Sequence, residues 1–474
     1  MGTQAEAFSA ELHENIEALQ TMMGHSVDFV FRILTISDNR RAGLFYLEGM
    51  IDIQTMQDHI IRPLMDRTRE HEITTEYIKD RVVEVGNVTL AYSISDALEQ
   101  VIAGSLLILI DGSSEGLLLA IEGWEERAVT ESTTQSVVRG PQNAFTERLR
   151  TNTTLVRRRV RDMRVRLANV TVGSMTKTDV AVMYMSGIAE EELVEQLLEK
   201  LRSIKQDAIL EGEYLEELIT ERKRQTIFPT FFNTDRPDVI AAGIMEGKIA
   251  LFIDGTPFVV MAPAFFTDFL QTPEDYYQSY FYSNLIRLLR YISLAICMLA
   301  PAIYISLTTF HQDMLPTQLL LSLAAQREGV PFPAFIEAFI MEVIFEILRE
   351  AGIRMPRTIG QAVSIVGSIV IGQAAVEAGI VSAAMVIVVA ITAIASFVIP
   401  SYTMSITIRM LRFAFMIIAS IFGVYGLTVG IIVLIIHLCG IHSFGKPYMS
   451  PVAPYKKSAQ TDALIRYPFR SRTK

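Results

Sequence analysis

One long, almost uncharged stretch in the C-terminal half limits what this chain can fold into. Between Thr358 and Ile408 the only charged side chain is that of Glu377. A helix that crosses a bilayer needs about 20 mostly apolar residues, so this stretch can hold two crossings. Arginines flank it on both sides, and the positive-inside rule places both flanks in the cytoplasm. We therefore predict a hairpin that runs out and back, with its tip near residues 377–379.

Small side chains recur at every fourth position in the first half of this stretch, at residues 360, 364, 368 and 372. Positions four apart share one face of a helix, and in lipid such a face lets another helix approach closely. We interpret residues 360–375 as a helix that lines a pore or seats a neighbouring helix. For Glu377, near the tip of the hairpin, simple exposure to solvent in the turn is as good an explanation as a position at the mouth of the pore. The candidates for the pore and its gating are Gln361, Ser364, Val366, Ser368, Gly372, Gln373 and Glu377.

The distribution of charge divides the chain into a soluble part and a membrane part. Residues 1–275 have the composition of soluble sequence, whereas residues 285–441 are mostly apolar and a basic tail follows. We predict an α/β cytoplasmic region with two related helix-plus-hairpin units, followed by an all-α polytopic membrane domain with four to six spans or re-entrant helices. The predicted domains are an N-terminal helical or α/β segment (1–90), a first α/β unit with an arginine-rich segment (91–170), a second α/β unit (171–275), the transmembrane domain (285–441) and the basic tail (442–474).

The residue types that catalysis and metal binding require do not occur together in this sequence. Both cysteines, Cys297 and Cys439, lie in apolar segments, and the seven histidines are scattered. The sequence contains no P-loop, dinucleotide-binding or nucleophile-elbow motif. We therefore predict a protein that is not an enzyme and that has neither a cofactor nor a metal site.

The soluble part contains an internal duplication. Residues 96–123 and 238–265 each start with aspartate and an apolar helical pattern, continue with a strand that ends in Ile-Asp-Gly, and finish with a second apolar strand. Asp-Gly between two apolar runs is typical of a tight hairpin turn, because glycine accepts a positive φ. Asp111 and Asp254 are the aspartates of these turns. Metal binding is an alternative role for them, although the turn already explains them.

An arginine-rich segment with eight arginines between residues 148 and 166 connects the two repeats. We expect Arg157, Arg158, Arg159 and Arg161 to contact a neighbouring domain, a neighbouring subunit or anionic lipid headgroups. Nucleic acid is a further alternative, since phosphates attract such clusters. The aromatic residues that single-strand binding uses do not accompany these arginines, so we predict membrane lipid and protein partners and no nucleic acid.

Acidic residues interrupt the apolar pattern after the first span, which is predicted over residues 291–310. The apolar helix at residues 334–352 carries Glu337, Glu342 and Glu346. In one interpretation this helix spans the membrane and its acids line a wet path. In the other it lies at the membrane surface with its acids in water. An ionisable group inside a membrane is costly and usually functional, so we favour the first interpretation.

Basic residues indicate the sidedness of the membrane part. Arg287 and Arg290 precede the first span, which places the N-terminal region in the cytoplasm. Residues 413–441 contain no charged residue except a histidine, and three glycines divide them. The basic tail that follows also belongs in the cytoplasm by the same rule. This favours a broken hairpin over a single crossing for the last apolar run.

Several long segments resemble one protein family, in the right order along the chain. They are SVVRGPQNAFTERLRTNTTLVRRRVRD (136–162), MTKTDVAVMY (175–184), the stretch from PAFIEAFIMEVIFEILREAG to IASFVIP (333–400), and IRMLRF with SFGKPYMSPVAP (408–454). On these residues the chain resembles the A subunits of spore germinant receptors of the GerA type, from endospore-forming bacteria.

The resemblance implies a multi-pass protein of the spore inner membrane with its N-terminal domain on the cytoplasmic, core side. It also implies a homo-oligomer, a pentamer, that acts with a transporter-like B subunit and a lipoprotein C subunit. Such a receptor responds to nutrients and releases monovalent cations at the start of germination. A ligand-independent A-like amplifier channel of the same family is an alternative. A secondary transporter is the rival from another class, but the only repeat detected here lies in the soluble part.

Overall fold

A computed structural model shows two compact units, which we describe separately. The first, which we call the soluble unit after the prediction from the sequence, consists of Met1–Lys223 and Phe231–Pro263. The second, which we call the helical unit, consists of Arg224–Thr230 and Ala264–Lys474. The structure describes residues 7–37, 40–67, 74–123, 137–220, 226–355, 372–455, 460 and 462–468.

The first module of the soluble unit is a five-stranded antiparallel sheet with the order β1-β2-β4-β5-β3. All residues of β4 are buried, because helices cover both faces of the sheet. The predicted turn between β4 and β5 is confirmed, and Gly112 has a φ of 88° there. The strands are β1 (Phe29–Ser37), β2 (Arg40–Leu47), β3 (Val88–Ala91), β4 (Ser105–Ile110) and β5 (Gly116–Ala120).

Two pairs of helices build a separate apolar core on each face of this sheet. Helices α1 and α4 pack on one face, and α2 and α3 pack on the other. The apolar stripe of α1 is buried, from Leu12 to Leu19, as its helical spacing indicates. The helices are α1 (Leu12–Met22), α2 (the consecutive turns Ile53–Met56, Gln57–Ile61 and Arg62–Arg67), α3 (Thr75–Tyr77 and Ile78–Val82) and α4 (Ile94–Ala103).

The second module repeats this arrangement with the sheet order β6-β7-β9-β10-β8. Gly212 of α7 lies beside Val260, and Gly243 of α8 lies beside Met261. Neighbouring strand residues point to opposite faces, so α7 and α8 cover opposite faces of the sheet. The elements are α5 (Leu149–Arg157), β6 (Val165–Val172), β7 (Thr178–Met185), α6 (Glu191–Arg202), α7 (Gly212–Ile219), β8 (Phe232–Thr234), α8 (Pro237–Met245), β9 (Ile249–Ile253) and β10 (Val259–Ala262).

The duplication is longer than the segment that the sequence reveals, because it also includes the hairpins β1–β2 and β6–β7. The Asp-Gly aspartates have the same second role in both modules. Asp111 Oδ1 accepts a hydrogen bond from the Leu12 amide at 3.2 Å, and Asp254 Oδ1 accepts one from the Leu149 amide at 3.2 Å. Each aspartate therefore caps the first turn of the helix that opens its module.

The second unit is helical, and two of its helices, α9 and α13, are long and apolar enough to cross a membrane. A shorter apolar helix, α12, lies between them in the chain. Helix α9 begins at Tyr280, earlier than the predicted residue 291, because its first turns are anchored by the ionic contacts described below. The helices are α9 (Tyr280–Thr309), α10 (Thr317–Arg327), α11 (Ala334–Arg354), α12 (Ala383–Val398) and α13 (Tyr402–Gly440).

Helix α13 reverses its direction at Gly423, which has a φ of 58° and a ψ of −145°. A Cβ added at Gly430 would lie 2.9 Å from Cε1 of Phe415. In a straight helix these residues would be about 22 Å apart, so the two arms are antiparallel. The arms, 402–422 and 424–440, are ~31 and ~26 Å long, close to the thickness of a bilayer core. The prediction of a broken hairpin is confirmed.

A second reversal lies at Gly379, between helical residues 372–377 and α12. Gly379 has a φ of 67°, and a Cβ at Gly372 would lie 3.4 Å from Cγ1 of Val386 on α12. The chain therefore turns back on itself at the predicted tip. Most of the predicted pore-lining helix, residues 356–371, lies outside the described residues.

Candidate functional site

The apolar helices of the second unit enclose a network of charged side chains where α11 meets the first arm of α13. Arg412 Nη2 lies 3.0 Å from Glu342 Oε2 and 2.8 Å from Glu346 Oε1. Arg409 Nη1 donates to Glu346 Oε2 at 2.6 Å, and Arg349 Nη2 donates to Glu346 Oε1 at 3.2 Å. We call these five residues the α11–α13 network.

Local sequence positions the members of this network. Glu342, Glu346 and Arg349 are spaced by four and three residues, so they share one face of α11. Arg409 and Arg412 are three apart and share one face of α13. The two faces meet where α11 packs against the first arm of α13. Two carboxylates oppose three guanidinium groups, so the charged state of the network is net positive.

The Glu342–Arg412 pair is the most enclosed part of the network. Both side chains have zero exposure to solvent. Among the described residues, neither oxygen of Glu342 has a hydrogen-bond partner, and Nε and Nη1 of Arg412 have none either. Removing one member of a buried pair leaves an uncompensated charge, which typically lowers the free energy of unfolding by about 3–5 kcal/mol. The pair is thus held by charge attraction alone and lacks the hydrogen bonds that would fix its geometry.

Glu337 forms a separate contact at the other end of α11. Its Oε2 accepts hydrogen bonds from the Ser382 amide at 3.0 Å and from Ser382 Oγ at 2.9 Å. Its Oε1 accepts from Arg327 Nε at 3.2 Å, and the carboxylate is fully buried. Glu337 therefore joins α10, α11 and the start of α12.

These placements bear on both interpretations of the acidic helix. Glu337 and Glu342 are buried and paired inside the unit, so they neither line a wet path, as the favoured interpretation predicts, nor lie in water at the membrane surface. Glu346 has 26% of its side chain exposed and bonds three arginines. The acids hold helices together within one chain.

The structure describes three of the seven candidates for pore and gating. Gly372 is buried, and Gln373 Nε2 donates to Glu377 Oε1 at 2.8 Å on the exposed side of the turn. Gln361, Ser364, Val366 and Ser368 lie outside the described residues.

The arginine-rich segment joins the two modules of the soluble unit. Arg157 is buried, and its Nε and Nη2 donate to the two oxygens of Asp28 at 2.7 and 3.0 Å. Arg157 therefore contacts the neighbouring module, which is one of the predicted alternatives, and it is enclosed within the chain and not available to a subunit or to lipid. Arg159 is half-buried and donates to Asn143 Oδ1, whereas Arg158 is half-buried and Arg161 is exposed. Arg158, Arg159 and Arg161 keep the predicted contact role as a proposal.

A second charged cluster was missed by sequence reasoning. Arg287 and Arg290, expected to mark the cytoplasmic end of the first span, are buried and pair with Asp275 at 3.2 and 2.9 Å. Arg287 also pairs with Asp462 at 3.1 Å, and Arg466 donates to the Asp275 carbonyl. The tail residues are about 175 positions away from Arg287, so no local pattern could have revealed the cluster.

The comparison with a known family covers both units. The model of the Bacillus/Clostridium GerA spore germination protein family matches residues 17–474. This chain belongs to the GerA family of spore germination proteins. The resemblance seen in the sequence is confirmed, and the family is that of the germinant receptor A subunits.

Relatives match almost the whole length of this GerA-family chain. Spore germination protein KA of Bacillus subtilis is 45% identical over 97% of this chain and 85% of its own length. Spore germination protein GerLA of Bacillus cereus is 35% identical over 96% of this chain and 93% of its own. The crystal structure of the N-terminal domain of the A subunit of the Bacillus megaterium spore germinant receptor GerK3 is 34% identical, covers 56% of this chain and 99% of that chain, and has a TM-score of 0.45.

Proposed function

We propose that this chain is the A subunit of a nutrient-responsive germinant receptor in the spore inner membrane. Copies of it, five in the proposed assembly, form a ligand-gated channel that releases monovalent cations at the start of germination. The soluble unit lies on the cytoplasmic, core side. A transporter-like B subunit and a lipoprotein C subunit complete the receptor.

The observation that carries this proposal is the Glu342–Arg412 pair between apolar helices. Ionisable groups inside membrane helices are rare and usually belong to ion pathways or to the elements that open them. This pair has zero exposure, lies at the junction of two helices and lacks hydrogen bonds that would fix it. An element with such a buried, loosely fixed contact can exchange partners, which is what a gate requires.

Glu342 and Glu346 can replace one another as the partner of Arg412, because both lie close to the same nitrogen of its side chain. Arg412 Nη2 is 3.0 Å from the first carboxylate and 2.8 Å from the second. A small shift of α11 along α13 would transfer Arg412 from one to the other. The charge of the network would stay the same while the two helices changed register. We propose that this shift accompanies opening.

The route for ions is proposed to lie between copies of the chain. Within the described residues of one copy, Glu337 and Glu342 are enclosed and paired, so they do not face an open passage. The segment at residues 360–375 keeps its proposed role as the lining, with Gln373 and Glu377 at the mouth. A ring of copies would bring this segment together around one axis.

The test is cation efflux from liposomes that contain the purified full-length protein, together with the mass of the detergent-solubilised particle. We expect a particle of several copies and efflux that Glu342→Gln changes by roughly tenfold, the effect of about 1.4 kcal/mol on the opening equilibrium. Glu350→Gln is the matched control, because Glu350 is exposed on the same helix and pairs with the exposed Arg354. A monomer that accumulates a solute would contradict the channel and support a transporter.

A further inference from the structure

The two arms of α13 enclose a groove of about 560 Å³ that runs from the reversal at Gly423 toward Thr226. Phe415 and Phe422 of the first arm form one wall, and Val429 and Val433 of the second arm form the other. Gly430 lets Phe415 of the first arm approach the second arm, because a Cβ at this position would lie 2.9 Å from Cε1 of Phe415. The groove therefore follows the length of a hairpin that is long enough to cross a bilayer core.

The lining is apolar except for Tyr425 near the reversal and His437 at the opposite end. His437 lies at that end, and its Nε2 is 3.1 Å from Thr226 Oγ1. Residues 413–441 contain no Asp, Glu, Lys or Arg, so no ion pair forms along the groove. The polar hairpin His442–Ser443 and Lys446–Pro447 follows within two turns of His437. An occupant must therefore combine an apolar body with a polar group at the His437 end.

The volume of the groove suits a small apolar body. It lies within the range of ~300–1,000 Å³ that accommodates small ligands. An extended hydrocarbon chain is narrow enough to enter, and the surrounding bilayer supplies such chains at high concentration.

We propose that this groove is a lipid site that holds one hydrocarbon chain of a phospholipid, with the head group at the His437–Thr226 end. The imidazole and the hydroxyl can hydrogen-bond the ester or phosphate oxygens of the lipid. The hydrocarbon chain fills the space between the two arms of α13 and stabilises the hairpin that they form. This site is independent of the proposed ion route and does not require the channel to be correct.

The test measures the phospholipid that stays with the full-length protein after extensive washing in detergent, by native mass spectrometry and phosphorus analysis. Val433→Trp fills the groove with an indole ring. Ile432→Trp is the matched control, because Ile432 is an exposed neighbour on the same arm that does not line the groove. We expect Val433→Trp to retain roughly tenfold less lipid, the loss expected when about two methylene groups lose their contact.

The outcomes separate lipid from other occupants. Wild-type protein without bound phospholipid, or equal lipid loss in both variants, would overturn the proposal. A second groove variant, Val429→Trp, repeats the test if Val433→Trp fails to fold. A groove variant that loses its oligomeric state while it keeps its lipid would assign the groove to a second copy of the chain and also overturn the proposal. Weaker retention in His437→Ala than in wild type would support the position of the head group.

Discussion

The soluble and helical units each bury an arginine against a carboxylate, but the two pairs are built differently. Arg157 donates two hydrogen bonds to Asp28, and Ser26 Oγ donates a third to the same aspartate at 2.5 Å. Arg412 instead divides one nitrogen between Glu342 and Glu346.

The Asp28–Arg157 pair has a fixed geometry, and we call it the lock. The contact of Arg412 with Glu342 and Glu346 can instead exchange one carboxylate for the other. A fork-like arginine pair fixes distance and orientation together, so it suits a permanent joint between two modules. A shared nitrogen fixes neither, and of the two carboxylates Glu346 is also bound by Arg349 and Arg409. We therefore expect the first pair to contribute mainly to stability and the second mainly to the opening of the helical unit.

The largest expected effect comes from breaking the lock. Asp28→Ala leaves Arg157 buried without its counter-charge, so we expect the free energy of unfolding of the soluble unit to fall by about 3–5 kcal/mol. Hydrogen exchange of the β1 and β6 amides in the full-length protein measures this loss. Arg161→Ala is the control, since this exposed side chain should change stability by less than about 0.5 kcal/mol. A loss no larger than the control's would show that Asp28 and Arg157 do not join the modules.

The next effect concerns coupling within the helical unit. A double-mutant cycle with Glu342→Gln and Arg412→Gln should give a coupling energy of about 1 kcal/mol, because Glu346 still binds Arg412 when Glu342 is neutral. The same cycle on Asp28 and Arg157 should give about 2–3 kcal/mol. Equal coupling energies in thermal unfolding of the full-length protein would remove the distinction drawn here.

A further carboxyl group, that of Glu216, sharpens the comparison because it has acidic neighbours instead of an arginine. Burial, with help from Glu213 and Glu211, raises the pKa of Glu216 to about 8. The protonated form is favoured in the folded state, so its stabilising effect is complete below the unfolded pKa near 4.5 and is lost as pH rises through 8.

We therefore expect the melting temperature of the soluble unit to fall between pH 5 and 9, at ~2–4 °C for each kcal/mol of stability that is lost. Glu216→Gln should flatten this dependence, whereas Glu199→Gln at an exposed position of α6 should not. The measurement is thermal unfolding of the full-length protein at several pH values. An unchanged slope in Glu216→Gln would show that another group titrates.

The smallest expected effect tests the duplication itself. Asp111→Ala and Asp254→Ala each remove the cap on the first turn of α1 or α5, so each should cost about 1 kcal/mol. The two losses should be equal within about 0.5 kcal/mol, because both aspartates accept from the equivalent amide at the same distance. A large loss in one module only would show that the repeats no longer share this contact.

Local patterns were enough to predict the central hairpins of the soluble unit. The Ile-Asp-Gly turns located both of them, β4–β5 and β9–β10. The capping role of the aspartates was not predictable, because the amide that each one binds is about 100 residues away in the chain.

Long-range pairing also explains what was missed in the helical unit. The sequence showed that Glu342 and Glu346 share a face, but it could not show that Arg409 and Arg412 return to meet them. The same limit applies to Arg287, whose partner Asp462 belongs to the tail. A rule based on flanking charge treats such arginines as markers of the cytoplasmic side, whereas the fold uses them in buried ion pairs.

The central claim is that the Glu342–Arg412 contact controls ion release and that the Asp28–Arg157 contact does not. Planar-bilayer recordings of the purified full-length protein test it most directly, with Glu342→Gln and a mild lock variant, Asp28→Asn, measured side by side. The account predicts an altered opening probability for Glu342→Gln and an unaltered one for those Asp28→Asn particles that remain folded. Recordings in which Glu342→Gln opens like wild type would contradict it.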